Sequence, residues 1–193
     1  TLTWKVTDNI YTHNEIEEKT SQSGEKTFTV LGWDDEYGEI DELLDRYYNP
    51  VQELVTTLQQ HEKYKEGDRK TATQYLLERH QENPKRKHYI MRPVEKRPGC
   101  FEILHTQSFR NSVPFRVTPD GYRVFGKEYQ SIPHMIKFFK RAIQTGKLTK
   151  LKEEYQKEQE KKALERKRNK EKKFEERRRR EQEQNRHEQP YSG

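Results

Sequence analysis

The sequence predicts an α+β fold, antiparallel strands flanked by helices, followed by a charged helical tail. Three observations carry this. Residues 89–104, YIMRPVEKRPGCFEIL, read as a hairpin: Tyr89, Ile90 and Met91 form an apolar run, Pro98-Gly99 is a turn dipeptide, and Phe101 to Leu104 resumes the strand. Apolar residues recur with helical spacing at Ile40, Leu43, Leu44, Tyr47 and Tyr48, and again at Ile132, Met135, Ile136, Phe139 and Ile143. Finally, residues 69–146 run helix, strands, helix, and residues 1–48 repeat the last part of that order.

Taken in order, residues 1–7 (TLTWKVT) alternate apolar and polar side chains as a strand does. Asn9-Ile10 allows a turn, and residues 10–17 give a second strand. Residues 20–26 are a polar loop containing Gly24, and residues 27–31 are again β-like until Gly32-Trp33-Asp34-Asp35 ends them. Asn49-Pro50 should interrupt the helix that starts near Ile40. A new helix then begins with Asn49 as cap, Pro50 first and Gln52 third, burying Val51, Leu54, Val55 and Leu58. The polar residues 59–67 read as a linker. Asp68 caps a helix through His80 that carries Ala72, Tyr75, Leu76 and Arg79 on one side, and Asn83-Pro84 ends it. After the hairpin, residues 114–117 form a third strand, the turn Thr118-Pro119-Asp120-Gly121 follows, and residues 122–125 return. Ser131 caps the last helix of this part, and Gly146 stops it.

Composition limits how far one core extends, because the 193 residues are only 28% hydrophobic and 37% charged. Residues 1–146 hold 22 Lys/Arg and 22 Asp/Glu, whereas residues 147–193 hold 17 and 11, so the net charge of +6 belongs to the tail. Within that tail Leu151, Tyr155, Leu164 and Phe174 build no heptad seam, and pairs such as Glu153/Lys157, Glu158/Lys162 and Glu176/Arg180 favour a lone solvated helix. Cys100 is the single cysteine, which excludes an internal disulfide and fits a reducing compartment. No run is apolar and long enough to span a bilayer. Thr1 falls directly inside a strand-like pattern, so the chain is expected to start halfway through one domain and to contain a second one whole.

Arg92 stands in the first hairpin strand, where a guanidinium fork suits the oxygens of a phosphate or carboxylate. The order aromatic–aliphatic–aliphatic–Arg, polar turn with Pro-Gly, then Cys-Phe-Glu-Ile-Leu resembles the phosphate-binding strand and hairpin of Src-homology-two domains. In that family the arginine grips a phosphorylated side chain. Two positions depart from the pattern, with Val94 where a phosphate-binding serine is usual and Pro114 where a pocket histidine is usual. Arg116, in PFRV, matches the basic pocket residue of the third strand. In the first copy His13 of YTHNEI falls at the pocket histidine, with Thr3 and Lys5 on the preceding strand.

The segments TLTWKVTDNIYTH, EIDELLDRYYNP, the Gly-Asp-Arg-Lys helix start and VTPDGYRVFGKEYQSIP narrow the likeness. Over about residues 1–141 the chain resembles the tandem Src-homology-two region of the transcription elongation factor and histone chaperone family called Spt-six. The resemblance implies a truncated first Src-homology-two domain over residues 1–48, a connecting helix and linker over 49–68, a second domain over 69–146 and a tail over 147–193. It implies a nuclear, non-catalytic phosphopeptide reader whose partner is the phosphorylated linker of the RNA polymerase II largest subunit, recognised through phosphoserine, phosphothreonine or phosphotyrosine. The rest of the elongation factor would lie upstream of Thr1, together with the first domain's phosphate arginine. Arg92, Arg116, His13, Thr3 and Lys5 are the expected phosphopeptide-binding residues.

Two other functions compete with this one. An enzyme is disfavoured, because no HExxH motif or phosphate-cradling Gly-rich loop is present and the seven histidines lack metal-ligand spacing, so no cofactor or metal is expected. A nucleic-acid binder would act through the tail, where Arg177 to Arg180 form a basic run among eleven glutamates, giving weak, salt-sensitive contact. No membrane partner is expected.

Overall fold

The computed structural model describes all residues except 8, 9, 22, 96, 98, 107–111 and 188–193, and describes the side chains beyond position 165 only in part. The expected turn at Asn9 and the proline of Pro98-Gly99 lie outside the described residues, as do the side chains of Phe174, Glu176 and Arg180. Thr1–Arg141 form one compact unit and Ala142–Gly193 a second.

Three antiparallel sheets make up the first unit among the described residues. Strands β1 (Leu2–Thr7) and β2 (Ile10–Asn14) pair with each other, and β3 (Ile16–Thr20), β4 (Lys26–Val30) and β5 (Glu36–Tyr37) form a second sheet. The third has the order β10-β9-β8-β7-β6, with β6 at Tyr89–Pro93, β7 at Cys100–His105, β8 at Val113–Thr118, β9 at Gly121–Val124 and β10 at Lys127–Tyr129. The single strand expected over residues 10–17 is therefore two. The chain changes partner at Glu15, whose carbonyl accepts from the Leu31 amide at 2.8 Å and opens the second sheet. Strand alternation alone does not reveal such a change, because both segments keep the period of two.

The helix expected to stop at Asn49 continues. Helix α1 (Ile40–Leu43) runs through a π turn at Leu44–Tyr48 into α2 (Asn49–Gln60). Asn49 is not a cap: its backbone is helical, its N–H donates to the Leu44 carbonyl five residues back, and its side-chain amide donates to Asp45 Oδ1 at 3.0 Å. Pro50 has no N–H to give to the carbonyl four residues earlier, and the wider turn absorbs that missing bond. The inserted residue also turns both tyrosines inward. Tyr47 meets Trp33 edge-on at 6.0 Å, and Tyr48 meets Trp4 at 6.3 Å.

Val51, Val55 and Leu58 bury the inner stripe of α2, while Leu54 is half-buried. The Leu54 carbonyl accepts the Tyr122 hydroxyl at 2.9 Å, joining α2 to β9. The expected linker is itself pinned. Tyr64 is buried and bridges to Met91, the Lys65 amide donates to the Met91 carbonyl at 2.9 Å, and the Met91 amide donates to the Lys63 carbonyl at 2.8 Å. Helix α3 (Arg69–Glu82) starts as expected, with Asp68 Oδ1 accepting from the Thr71 amide at 2.7 Å, and Asn83 ends it. Ala72 and Leu76 pack on Ile90 and Leu104 on one side of the large sheet. Helix α4 (Ile132–Gln144) contributes Phe139, which meets Tyr89 and His105 edge-on at 5.9 and 5.5 Å.

In the second unit, Gly146 takes a φ of 66°, closing α4, and α5 runs over Leu148–His187. The described side chains of α5 are mostly exposed, and Lys162 pairs with Glu158 at 2.7 Å. Such solvated pairs contribute little to stability, because water screens the two charges. No helix of the chain is long and apolar enough to cross a membrane among the described residues.

Candidate functional site

Alternation on β1 and β2 separates two faces. Trp4, Val6 and Thr12 point inward and are buried, while Thr3, Lys5, Tyr11 and His13 stay exposed. Register brings the exposed set together, with Thr3 opposite His13 and Lys5 opposite Tyr11. Thr3 Oγ1 and His13 Nδ1 lie 2.8 Å apart, which fixes the ring across the ladder. Thus the three residues expected in the first copy share one surface. Tyr11, whose exposure of 49% makes it one of the barest large side chains of the molecule, joins them.

Arg92 is placed differently from an open anchor. It is only 3% exposed, and both terminal nitrogens are occupied: Nη1 meets Glu102 Oε1 at 2.7 Å, and Nη2 meets the Gly67 carbonyl and Glu95 Oε1, both at 2.8 Å, while the buried Nε has no hydrogen-bond partner among the described residues. Arg69 adds a longer contact to Glu102 at 3.8 Å. A guanidinium removed from water needs such partners. Register explains the arrangement, because Arg92 and Glu102 are directly opposed on β6 and β7. Glu102 lies in the stretch Phe101 to Leu104, which sequence alone assigns to a strand with no sign that its carboxylate faces Arg92. A phosphate would reach this guanidinium only by displacing one of the carboxylates, of which Glu95, with its side chain 56% exposed, is the looser.

Arg116 does not join Arg92. Its Nε donates to Cys100 Sγ at 3.3 Å, and it lines a cleft of about 300 Å³ between the two halves of the first unit. His13, Trp33, Tyr47 and Arg123 line the same cleft. Arg123 pairs with Glu128 and holds its guanidinium over the Trp33 ring at 5.3 Å. Trp33, Tyr47 and Arg123 are residues that sequence reasoning assigned to a turn, a helix core and a return strand. No local signal marks them, since their meeting depends on how the halves dock. That docking is close at Gly99, where φ is 76° and an added Cβ would sit 3.2 Å from Thr12 Oγ1.

Among the described residues no group of three or more His, Cys, Asp or Glu is arranged to hold a metal. The arrangement offers cationic and hydroxyl donors, a chemistry suited to binding anions.

The helix–sheet–helix order of α3, β6 to β10 and α4, preceded by the strands and helix of residues 1–48, agrees with the family comparison. The model of the SH2 domain matches residues 1–142. The chain belongs to the SH2 domain family. Transcription elongation factor SPT6 of Debaryomyces hansenii is 26% identical over 148 residues, covering 75% of this chain and 10% of that protein. The Arabidopsis thaliana homolog is 26% identical over 152 residues, covering 74% and 9%. The chain therefore spans about a tenth of the length of these curated relatives. A solved tandem SH2 domain of transcription elongation factor Spt6, which binds the phosphorylated RNA polymerase II C-terminal repeat domain, superposes with a TM-score of 0.66. It shares 21% identity, over 73% of this chain and 74% of that one. The tandem SH2 domains of Antonospora locustae Spt6 give 0.61 at 17% identity, over 72% of each chain. The fold is thus that of tandem SH2 domains, as the sequence led us to expect.

Proposed function

We propose that this chain is a non-catalytic, nuclear phosphopeptide reader of a transcription elongation factor, taking phosphorylated serine or threonine in the linker of the RNA polymerase II largest subunit. The observation that carries the reading is the face of β1 and β2 on which Thr3, Lys5 and His13 stand together and are exposed. The solved Spt6 relative that binds a phosphorylated polymerase repeat supports the choice of partner. A phosphomonoester brings about −1.5 to −2 charges and three acceptor oxygens, which a lysine, a hydroxyl and an imidazole can share. Each charge-assisted contact is worth roughly 1.5–3 kcal/mol before solvent exposure reduces it.

Anisotropy titration of labelled linker peptides, phosphorylated and not, against the 193-residue chain tests this. Phosphorylation should strengthen binding, and Lys5→Ala and His13→Ala should each weaken the phosphorylated complex by about fivefold, or close to 1 kcal/mol. Equal affinity for both peptides would end the proposal. Arg92 enters the reading as a second contact that requires Glu95 to move aside. Arg92→Ala in the same assay decides whether it takes part.

The tail supports a second reading at a lower level, weak contact with nucleic acid through α5. Its motive is the excess of 17 Lys/Arg over 11 Asp/Glu in residues 147–193.

A further inference from the structure

Charge is spread unevenly along the chain. Residues 1–48 hold 12 Asp/Glu and 4 Lys/Arg, whereas residues 129–152 hold six Lys/Arg and neither Asp nor Glu. On the Thr1–Arg141 unit this contrast becomes a cationic groove and an acidic edge.

The groove lies between the β8–β9 turn, β10 and α4 and measures about 910 Å³. Tyr129 and Phe138 give it an aromatic lining, both half-buried, with ring centroids 5.1 Å apart. His134, Lys137 and Arg141 follow one another at helical spacing on α4 and are exposed. Glu128, also in the wall, is already engaged, Oε1 by Arg123 and Oε2 by the Thr118 hydroxyl at 3.2 Å. That leaves Asp120 against Lys137 and Arg141, so the groove is net positive. Its shape is preformed, since Gly121 lies so close that an added Cβ would overlap the Tyr129 carbonyl. Such a groove suits an apolar side chain flanked by carboxylates.

This chain carries that combination itself. Ile40 opens α1 and is 45% exposed, while Leu43 of the same turn is fully buried. A single bare isoleucine is ordinary on a protein surface. This one stands between Glu39 and Asp41, both exposed, and neither carboxylate is in an ion pair with a described residue. The nearby Glu42, by contrast, is spent on Arg46 and the Gly38 amide.

We propose that the groove between β10 and α4 receives the Ile40 turn of a second copy of this chain. Ile40 enters against Tyr129 and Phe138, and Glu39 and Asp41 meet Lys137 and Arg141. A lone phosphate would use the cations and leave the aromatic pair uncovered, whereas the Ile40 turn uses both. Each copy carries both surfaces, so the contact is made twice, as in a two-fold pair. Exposed ion pairs are individually weak and screened by salt, so the pair forms at high chain concentration and low ionic strength.

Sedimentation equilibrium of the 193-residue chain tests this. The average mass should rise towards that of a dimer with concentration at low salt, and return to the monomer at high salt. Ile40→Ser, which keeps every charge, should weaken association by about fivefold or more. Two double variants decide the contact. His134→Glu with Lys137→Glu reverses the groove, and Glu39→Lys with Asp41→Lys reverses the acidic edge. Each alone should stay monomeric, because its two surfaces then carry like charge, and an equal mixture of the two should associate again. A parent that is monomeric at every concentration overturns the proposal. Association of the groove variant alone also overturns it, placing the contact on the tail, as does a mixture that stays monomeric while the parent associates. Should a double variant melt below the parent, Ile40→Ser and the salt dependence of the parent decide. A monomeric parent whose groove variant binds phosphopeptide less tightly would give the groove to the peptide instead.

Discussion

Arg92 and Glu102 face each other across β6 and β7, Nη1 lying 2.7 Å from Oε1, with their side chains 4% and 6% exposed. The strand that resembles a phosphate grip holds its arginine on the protein's own carboxylates. The same guanidinium bonds the Gly67 carbonyl and so ties the segment before α3 to the sheet.

Removing one member of this pair strands the other. Arg92→Ala should lower unfolding stability by about 3 kcal/mol, since breaking a buried pair from one side costs roughly 3–5 and Arg69 remains near Glu102. Arg92→Met combined with Glu102→Leu should recover most of the loss, whereas Glu95→Ala, an exposed partner, should change stability by about 1 kcal/mol or less. Urea midpoints of the four proteins check this. A neutral Arg92→Ala would show that the pair contributes nothing to the fold.

His105 is 5% exposed, packs edge-on against Phe139 and has neither ring nitrogen hydrogen-bonded to a described residue. Burial lowers its pKa in the folded chain. The unfolded chain, with its histidine near the usual value of about 6.5, therefore takes up a proton that the folded one refuses, and stability falls as pH drops below about 6.5. His105→Phe should remove this part of the pH dependence. Urea midpoints of parent and variant between pH 8 and pH 5 should converge towards the alkaline end and separate towards the acid end, the variant being the more stable there. Parallel curves would refute the assignment.

Gly99 joins a positive φ to a close approach. Gly99→Ala places a Cβ 3.2 Å from Thr12 Oγ1 on a backbone at φ 76°. The left-handed conformation alone should cost about 1–2 kcal/mol, and the contact with β2 adds to it. Thermal melting should show the loss, and Thr12→Ser should not relieve it, because serine keeps the crowding oxygen.

Deleting residues 147–193 removes the net charge of +6 and leaves the Thr1–Arg141 unit whole. Phosphopeptide affinity should change less than twofold. Any affinity for a single-stranded oligonucleotide should disappear, and in the parent chain it should fall steeply between low and moderate salt. Electrophoretic mobility shift at two salt concentrations, with and without the tail, distinguishes the two readings.

Local chemistry was legible in the sequence wherever one segment settles its own conformation. The Asp68 cap, the β6–β7 hairpin, the turn at Gly121 and the buried stripe of α4 are each fixed by neighbours within a few residues. The common surface of Thr3, Lys5 and His13 was legible too, because a period of two on adjacent strands puts them on one face. Beyond that range, tertiary contacts decided. The π turn before Pro50 depends on Tyr47 and Tyr48 both finding tryptophans, and the split at Glu15 depends on β4 being there to pair. Whether Arg92 meets a ligand or Glu102, and whether Arg116 shares a cleft with Tyr47 or lies bare, are matters of strand register and of how the halves dock. Side-chain type and spacing determined which groups able to hold a phosphate exist in this chain. The fold decided which of them are already taken, because a buried charge must find its partner within the protein and an exposed one need not.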